Sequence, residues 1–378
     1  MGALYKLVVR ERGGNGAGTY AGRKKAESVN FLSLAYTKRV NSPDLIRFTA
    51  NPDDCAWVSD LLVDDQIEVW RKNDALDLDW YRDAAGFVQD WVQRDGPPPR
   101  STVTAFGYLS YLERRIVAYK AGQEGYSMVT NVRAETAMKN LVKYNIGSLA
   151  GDALRVTSGV VDNSKAYSVV PTASAGGGNL VTVGFAWDNL LDTLRMLSRI
   201  GGGDFDLYPA NTGQLTFEFY AGQRGTDRTA TVFFSSTLGN VAEAEYEERW
   251  SEAKLRAIVG GPNNGTARST QVVDSSEYTT DETTHREVFV DARSAESTAL
   301  SAPGTNALDK AQVAREYRFK VLQTPACAYG VHYAVSGVMG DLVTVRVGAA
   351  SDTQKVVGVT VSYEPGKAEQ IDVELGNP

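Results

Sequence analysis

The side chains able to carry chemistry in this chain of 378 residues are few and scattered. Its two histidines, His285 and His332, stand far apart, with no Cys or Glu at the spacing a zinc site uses. His332 lies in YGVHYAV, whose alternation predicts a half-buried strand residue, and His285 sits in an acidic, threonine-rich stretch where solvation is expected. A Ser–His or Cys–His nucleophile would need one of them at its side, and no GxSxG elbow exists. Cys55 and Cys327 form no CxxC pattern. They read as two inert thiols of a reducing compartment, with one long-range bridge between them as the alternative.

Carboxylates are plentiful, at 46 Asp and Glu. Adjacent pairs such as Asp53-Asp54 and Asp64-Asp65 suggest a glycosidase, yet neighbours on a strand face opposite ways, and no spacing singles out an acid and a base. They are expected to be solvated turn residues. GGNGAG at 13–18 follows a strand but opens no helical period, and the GGG runs at 176–178 and 201–203 lack the Lys-Ser/Thr of a phosphate loop. All three read as flexible loops. No catalytic, cofactor-binding or metal-binding residue is assigned, and that silence weighs against an enzyme.

The elements around these residues are those of a folded, globular chain, 43% hydrophobic and 22% charged. Its length predicts two to four domains. A formal charge of −7 argues against a general nucleic-acid binder, and the densest basic run, Arg23-Lys24-Lys25, reads as a solvated loop. No signal peptide or membrane-spanning run is present, and Lys6 spoils the myristoylation start at Gly2. The 18 Tyr and 6 Trp fit surfaces that associate, or carbohydrate platforms; composition does not separate the two.

Alternating or apolar runs at 4–10, 29–36, 45–50, 66–71 and 86–93 predict five short strands, a small barrel or sandwich over 1–100. Pro97-Pro98-Pro99 reads as a stiff break at a domain boundary. Helical spacing follows at 108–120 (Leu109, Leu112, Ile116, Tyr119) and 134–146 (Ala134, Met138, Leu141, Asn145). WDNLLDTLRMLSRIGGG carries the clearest stripe, with Trp187, Leu190, Leu191, Leu194 and Leu197 on one face and Gly201 to end it. Strands at DFDLYP, QLTFEFYAG and 230–236 make 101–238 an α+β region. From 239 onward β-structure returns, interrupted by a long polar loop at about 262–306 and a short helix at 308–320. The end is a meander: LVTVRV, KVVGVTVSY, a type II turn at Glu364-Pro365-Gly366-Lys367, then Ile371, Val373 and Leu375 in alternation. The expected fold class is β-rich α+β, with two small antiparallel β-barrel domains, 1–100 and 239–378, flanking 101–238. Asp65 before QIEVWR and Asp341 before LVTVRV are each expected to hold a tight turn by bonding the backbone.

This order of parts resembles the tail-hub family of long-tailed bacteriophages. The residues that carry the resemblance are LIRFTANPDD…LLVDDQIEVWR, GYLSYLERRIVAY, GGGDFDLYPANTGQLTFEFYAGQRGTDRTATVFF, THREVFVDAR and GVMGDLVTVRVG, in that order along nearly the whole chain. The resemblance implies a structural virion protein of the tail tip or baseplate, assembled in the host cytoplasm. It implies a homotrimeric ring whose two barrels per chain make a quasi-sixfold collar, with DNA only transiently in the lumen and no stable membrane insertion. Implied partners are a distal tail or tail tube protein, a tape-measure protein, and a tip fibre or spike protein. Larger relatives carry a C-terminal fibre, peptidase or lysin extension; this chain stops at Pro378, so wall cleavage is expected of another protein. Two alternatives stand beside the hub. A carbohydrate-active or peptidoglycan-cleaving tail protein predicts converging carboxylates or a metal site, and a contractile injection system's hub would share the fold.

Overall fold

The computed structural model describes residues 2–13, 21–117, 127–147, 169–185, 187–209, 214–293 and 300–377. The chain divides into two compact units, Met1–Ala242 with Lys320–Pro378, and Glu243–Phe319. Seven strands come first: β1 (Leu4–Arg12), β2 (Ala21–Ser28), β3 (Ser33–Arg39), β4 (Leu45–Ala50), β5 (Gln66–Asn73), β6 (Leu78–Arg94) and β7 (Arg100–Gly107). A mixed stretch follows with α1 (Ser110–Glu113), β8 (Ser127–Arg133), α2 (Ala134–Asn145), β9 (Val169–Pro171), β10 (Leu180–Phe185) and α3 (Leu190–Gly201). Then come β11 (Gly203–Pro209), β12 (Leu215–Ala221) and β13 (Phe233–Ser235). β14 (Val241–Arg249), β15 (Arg256–Gly260), β16 (Thr270–Asp274), β17 (Glu287–Asp291), α4 (Ser301–Lys310) and β18 (Ala314–Val321) precede the closing β19 (Leu342–Val347), β20 (Ala350–Tyr363) and β21 (Gln370–Gly376). The class is β-rich α+β, as the sequence predicts.

Strands from both ends of the chain share one sheet, in the order β13-β19-β20-β3-β4-β7-β6-β5-β1-β2, with β21 on β20. Alternation sets its buried face: in LIRFTA, Ile46, Phe48 and Ala50 are buried while Leu45 and Arg47 are exposed. The long strand β20 joins the ends. Its first half pairs with β19 and its second half, Gly358–Tyr363, with Leu34–Arg39 of β3. The turn before β21 is type II as expected, with Gly366 at φ 83° and Lys367 N–H donating to the Glu364 carbonyl at 3.0 Å.

The mixed stretch forms its own core. α2 supplies Met138, Leu141 and Val142, and α3 supplies Leu190, Leu191, Leu194 and Leu197, packed with Phe205, Leu207 and Phe217 of β11 and β12. Each of those leucines contributes roughly 2 kcal/mol by leaving water. Asn189 caps α3 by accepting from Leu191 N–H at 3.0 Å, and Gly202, at φ 65°, ends it. Gly202, one residue beyond the expected Gly201, supplies the left-handed turn.

In the smaller unit β15 pairs antiparallel with β16 and parallel with β17. α4 lies on one face through Leu300 and Leu308 against Ala257 and Val259.

Several sequence expectations are corrected here. Arg23-Lys24-Lys25 is part of β2, an edge strand of the sheet rather than a loop. Pro97–Pro99 forms the tip of the β6–β7 hairpin, because pairing runs unbroken from Arg94↔Arg100 to Gly86↔Gly107 apart from one bulge. The helical spacing at 108–120 yields only the one-turn α1, with Tyr119 outside the described residues. The polar stretch 262–306 is not one loop, since it contains β16, β17 and the start of α4. The helix expected at 308–320 starts earlier, at Ser301, and gives way to β18.

Candidate functional site

The expected chemistry-bearing residues do not converge. Exposed His285 stacks on Tyr278 with ring centroids 5.3 Å apart and shares a 3.1 Å hydrogen bond with its hydroxyl. His332 is half-buried but lies in a turn rather than an alternating strand, where its Nδ1 accepts from Ala328 N–H at 3.1 Å. Cys55 and Cys327 are free, buried thiols, and burial pushes that of Cys327 up to about 11. Among the described residues no three His, Cys, Asp or Glu side chains gather where they could hold a metal.

The glycine runs have occupants of their own. Residues 14–18 of GGNGAG fall outside the described residues. The 176–178 run is a built anion cradle: Gly177 N–H donates to Glu135 Oε2 at 2.6 Å and Ala175 N–H to both carboxylate oxygens at 3.1 Å. Burial pushes the Glu135 carboxyl up, but Lys139 at 2.6 Å and those amides hold it below its usual range. Gly201–Gly203 are close-packed, since a Cβ on Gly203 would stand 2.4 Å from the Tyr220 carbonyl oxygen.

Two of the expected turn aspartates are fully buried and bound alike. Asp65 Oδ1 accepts from Arg12 N–H at 2.9 Å, and Oδ2 from Leu62 N–H at 2.9 Å and Lys25 Nζ at 2.7 Å. Asp341 Oδ1 accepts from Thr226 N–H at 2.6 Å, and Oδ2 from Ala334 N–H at 2.8 Å and Arg228 Nε at 3.1 Å. Each therefore holds two backbone amides and one cation. The loop that Asp341 ties down is strained, with Ala334 and Ser336 at φ 49° and 53°.

A third group of ionisable residues was not legible in sequence. Arg71, with none of its surface exposed, forks onto Glu369, with Nε 3.0 Å from Oε2 and Nη2 2.6 Å from Oε1. Tyr5 donates its hydroxyl to the same carboxylate, and Tyr81 meets the guanidinium at 3.1 Å. Behind it, Asp83 accepts from Tyr36 at 2.5 Å and Tyr329 at 2.7 Å, and Lys38 bridges Asp83 to the Gly337 carbonyl. Burial first, and then neighbouring carboxylates, push the Tyr5, Tyr36 and Tyr329 hydroxyls well above their usual range, keeping them protonated donors. The network joins β1, β3, β5 and β6 to residues 329–337 and 369.

Beside it lies a cleft of about 520 Å³ lined by Lys38, Asp44, Asp83, Asp206, Arg224 and Met339 among others. Arg224 pairs with Asp206 at 2.6 Å. Burial pushes the Asp44 carboxyl up to about 6, with Lys38 drawing it back and Asp206 adding to the rise. In all three clusters the charged groups are mainly satisfied by their own chain. They are arranged to hold segments together.

No curated protein matches the chain. Among solved structures it is similar to the 43 kDa tail protein of prophage MuSo2 from Shewanella oneidensis, with 13% identity, 99% of this chain and 98% of that one covered, and TM-score 0.58. The tail protein from Neisseria meningitidis MC58 is matched at 13% identity over 98% and 96% of the chains, TM-score 0.58. Prophage tail protein gp18 from Listeria monocytogenes EGD-e is matched at 12% identity over 98% and 94%, TM-score 0.58. These likenesses concern the fold. The model of one family, the Siphovirus ReqiPepy6 Gp37-like proteins, matches residues 88–377, and to that family the chain belongs.

Proposed function

We propose that the chain is a structural tail hub: a homotrimeric ring at the tail tip or baseplate of a virion, joining a sixfold tail tube to a threefold tip. DNA passes its lumen only during ejection. The observation that carries this reading is the like binding of Asp65 and Asp341, each at the mouth of a hairpin whose second strand, β6 or β20, is long. Three chains meet six tube subunits without mismatch when each chain offers two similar surfaces. In this reading the β5–β6 hairpin, from residues 1–100, and the β19–β20 hairpin, from residues 239–378, contribute one of the two surfaces each. A distal tail or tube protein, a tape-measure protein and a tip fibre or spike are its neighbours.

The whole-length fold likeness to prophage tail proteins supports the same reading. So does the self-satisfaction of the charged clusters, which suits a scaffold better than turnover. The test is copy number. Native mass spectrometry of the purified chain, and quantitative mass analysis of assembled tails, should both return multiples of three. A copy number not divisible by three in tails would end the proposal.

A further inference from the structure

The β6–β7 hairpin carries a sheet edge with no neighbour. β5 pairs with β6 only as far as Gln66↔Phe87, and the corner adds Asp64 N–H to the Val88 carbonyl at 2.8 Å. β7 continues along the other side of β6 to Arg94. Among the described residues, no strand pairs with the β5-facing side of Gln89–Arg94, a run of about 20 Å. Natural sheets usually blunt such an edge with lysine or a covering loop. Here Trp91 is 41% and Val92 56% exposed, and being consecutive they flank the edge on opposite faces. Leu62 and Val63, 50% and 47% exposed, sit beside it at the turn that Asp64 ties to Val88.

The charge around this edge has one dominant sign. The Asn51–Asp64 connection leaves β4 where Ala50 pairs with Ser101, itself opposite Gln93. Asp53, Asp54 and Asp60 from that connection, with Asp90 and Asp95 from the hairpin, are exposed, and among the described residues none has an ion-pair partner. The opposing charges are Arg94 and Arg100 at the tip and exposed Arg47, opposite the Thr104 that pairs with Asp90. Arg114 is taken up by Asp64, and Lys25, which reaches the Asp60 carbonyl, by Asp65.

We infer that this edge is a docking site for an extended, basic segment of another protein, which adds to β6 as a strand. Backbone amides of Gln89–Arg94 would supply the ladder, Trp91 and Val92 would contact alternate side chains on the two faces, and the aspartates would select lysine or arginine between them. The acidic rim disfavours nucleic acid and anionic membranes at this place.

The full chain is titrated against a short labelled peptide alternating valine with lysine, acetylated and amidated, and against its counterpart with glutamate for lysine. The lysine peptide should bind, slow hydrogen exchange at Gln89–Arg94, and weaken with added salt; the glutamate peptide should bind about tenfold more weakly or worse. Val92→Lys, at an exposed position, should abolish binding, and Asp90→Lys should shift preference toward the glutamate peptide. Equal binding of both peptides, or protection confined to another segment, overturns the inference. So does an oligomer that already protects Gln89–Arg94 and that Val92→Lys dissociates, which would assign the edge to a second copy. The readout does not depend on the hub reading: a monomer that binds the lysine peptide supports this site and defeats the trimer.

Discussion

Asp65 and Asp341 stand at equivalent corners. The carbonyl of Asp65 accepts from Val88 N–H and that of Asp341 from Val356 N–H, both at 2.8 Å, so each aspartate begins its hairpin in the same register. The following pairs are Gln66↔Phe87 and Leu342↔Lys355. The neighbours differ. β1 runs antiparallel to β5, whereas Asp227 bridges Leu342 in parallel. The likeness thus covers the hairpin and its corner, as a duplicated unit set in two contexts would.

Removing either corner carboxylate should be costly. Asp65→Ala strips the acceptors from Arg12 and Leu62 amides, and Asp341→Ala strips them from Thr226 and Ala334. Each loss leaves buried donors unsatisfied and should lower unfolding free energy by about 3 kcal/mol in urea titrations. Asn should recover less than half, because one of its two side-chain positions is a donor facing donors. A change under about 0.5 kcal/mol at either site would refute the corner role.

The Arg71–Glu369 pair yields a sharper contrast. Arg71→Met leaves the Glu369 carboxylate almost buried without its cation, and should cost about 3–5 kcal/mol. Adding Glu369→Leu removes that orphaned charge and should restore at least half of the loss. A double variant as unstable as the sum of both single variants would show that the residues do not act as a pair.

Local chemistry was legible where one residue or one period decides it. The α3 stripe, the alternation of LIRFTA and the Pro-Gly turn are of that kind. β2 was missed because AGRKKAES lies at a sheet edge with Arg23, Lys24 and Glu27 all exposed, so no alternation marks it. α4 contains Pro303 and Gly304, poor helix residues, yet packing decides: a Cβ on Gly304 would stand 2.7 Å from Val273. Arg71 and Glu369 carry no mark in the sequence, because their contact spans 298 residues of chain. Nothing within either segment encodes the other.

Gly225 should tolerate no side chain. The bent segment before Arg228 approaches the Asp341 corner so closely that a Cβ on Gly225 would lie 2.1 Å from Asp341 N and 2.2 Å from the Gly340 carbonyl carbon. Gly225→Ala must move backbone and should cost about 2–4 kcal/mol. Gly96→Ala, at the open hairpin tip with nothing within 4 Å, is the control and should change stability by under about 0.5 kcal/mol. Equal melting temperatures for the two variants would refute the close approach.

Asp44 should make stability depend on pH. Its carboxyl rises from an ordinary 3.8 to about 6, chiefly through burial, so the fold favours the protonated form. The group's contribution is therefore fully present below about pH 3.8 and is lost as pH rises through 6. Ionised Asp44 opposes folding at neutral pH. Asp44→Asn removes that charge while keeping an oxygen for the Arg39 amide, which donates to Oδ1 at 3.4 Å. The variant should be more stable than the native chain by about 1–2 kcal/mol above pH 7, a figure reduced because the residue is only partly shielded from water. The difference should shrink through the interval between those two values and vanish near its lower end. Thermal melts across that range give the curve directly. A variant that is destabilised at neutral pH, or whose advantage does not change with pH, would show that Asp44 is held as a useful anion beside Lys38 and Arg224 instead.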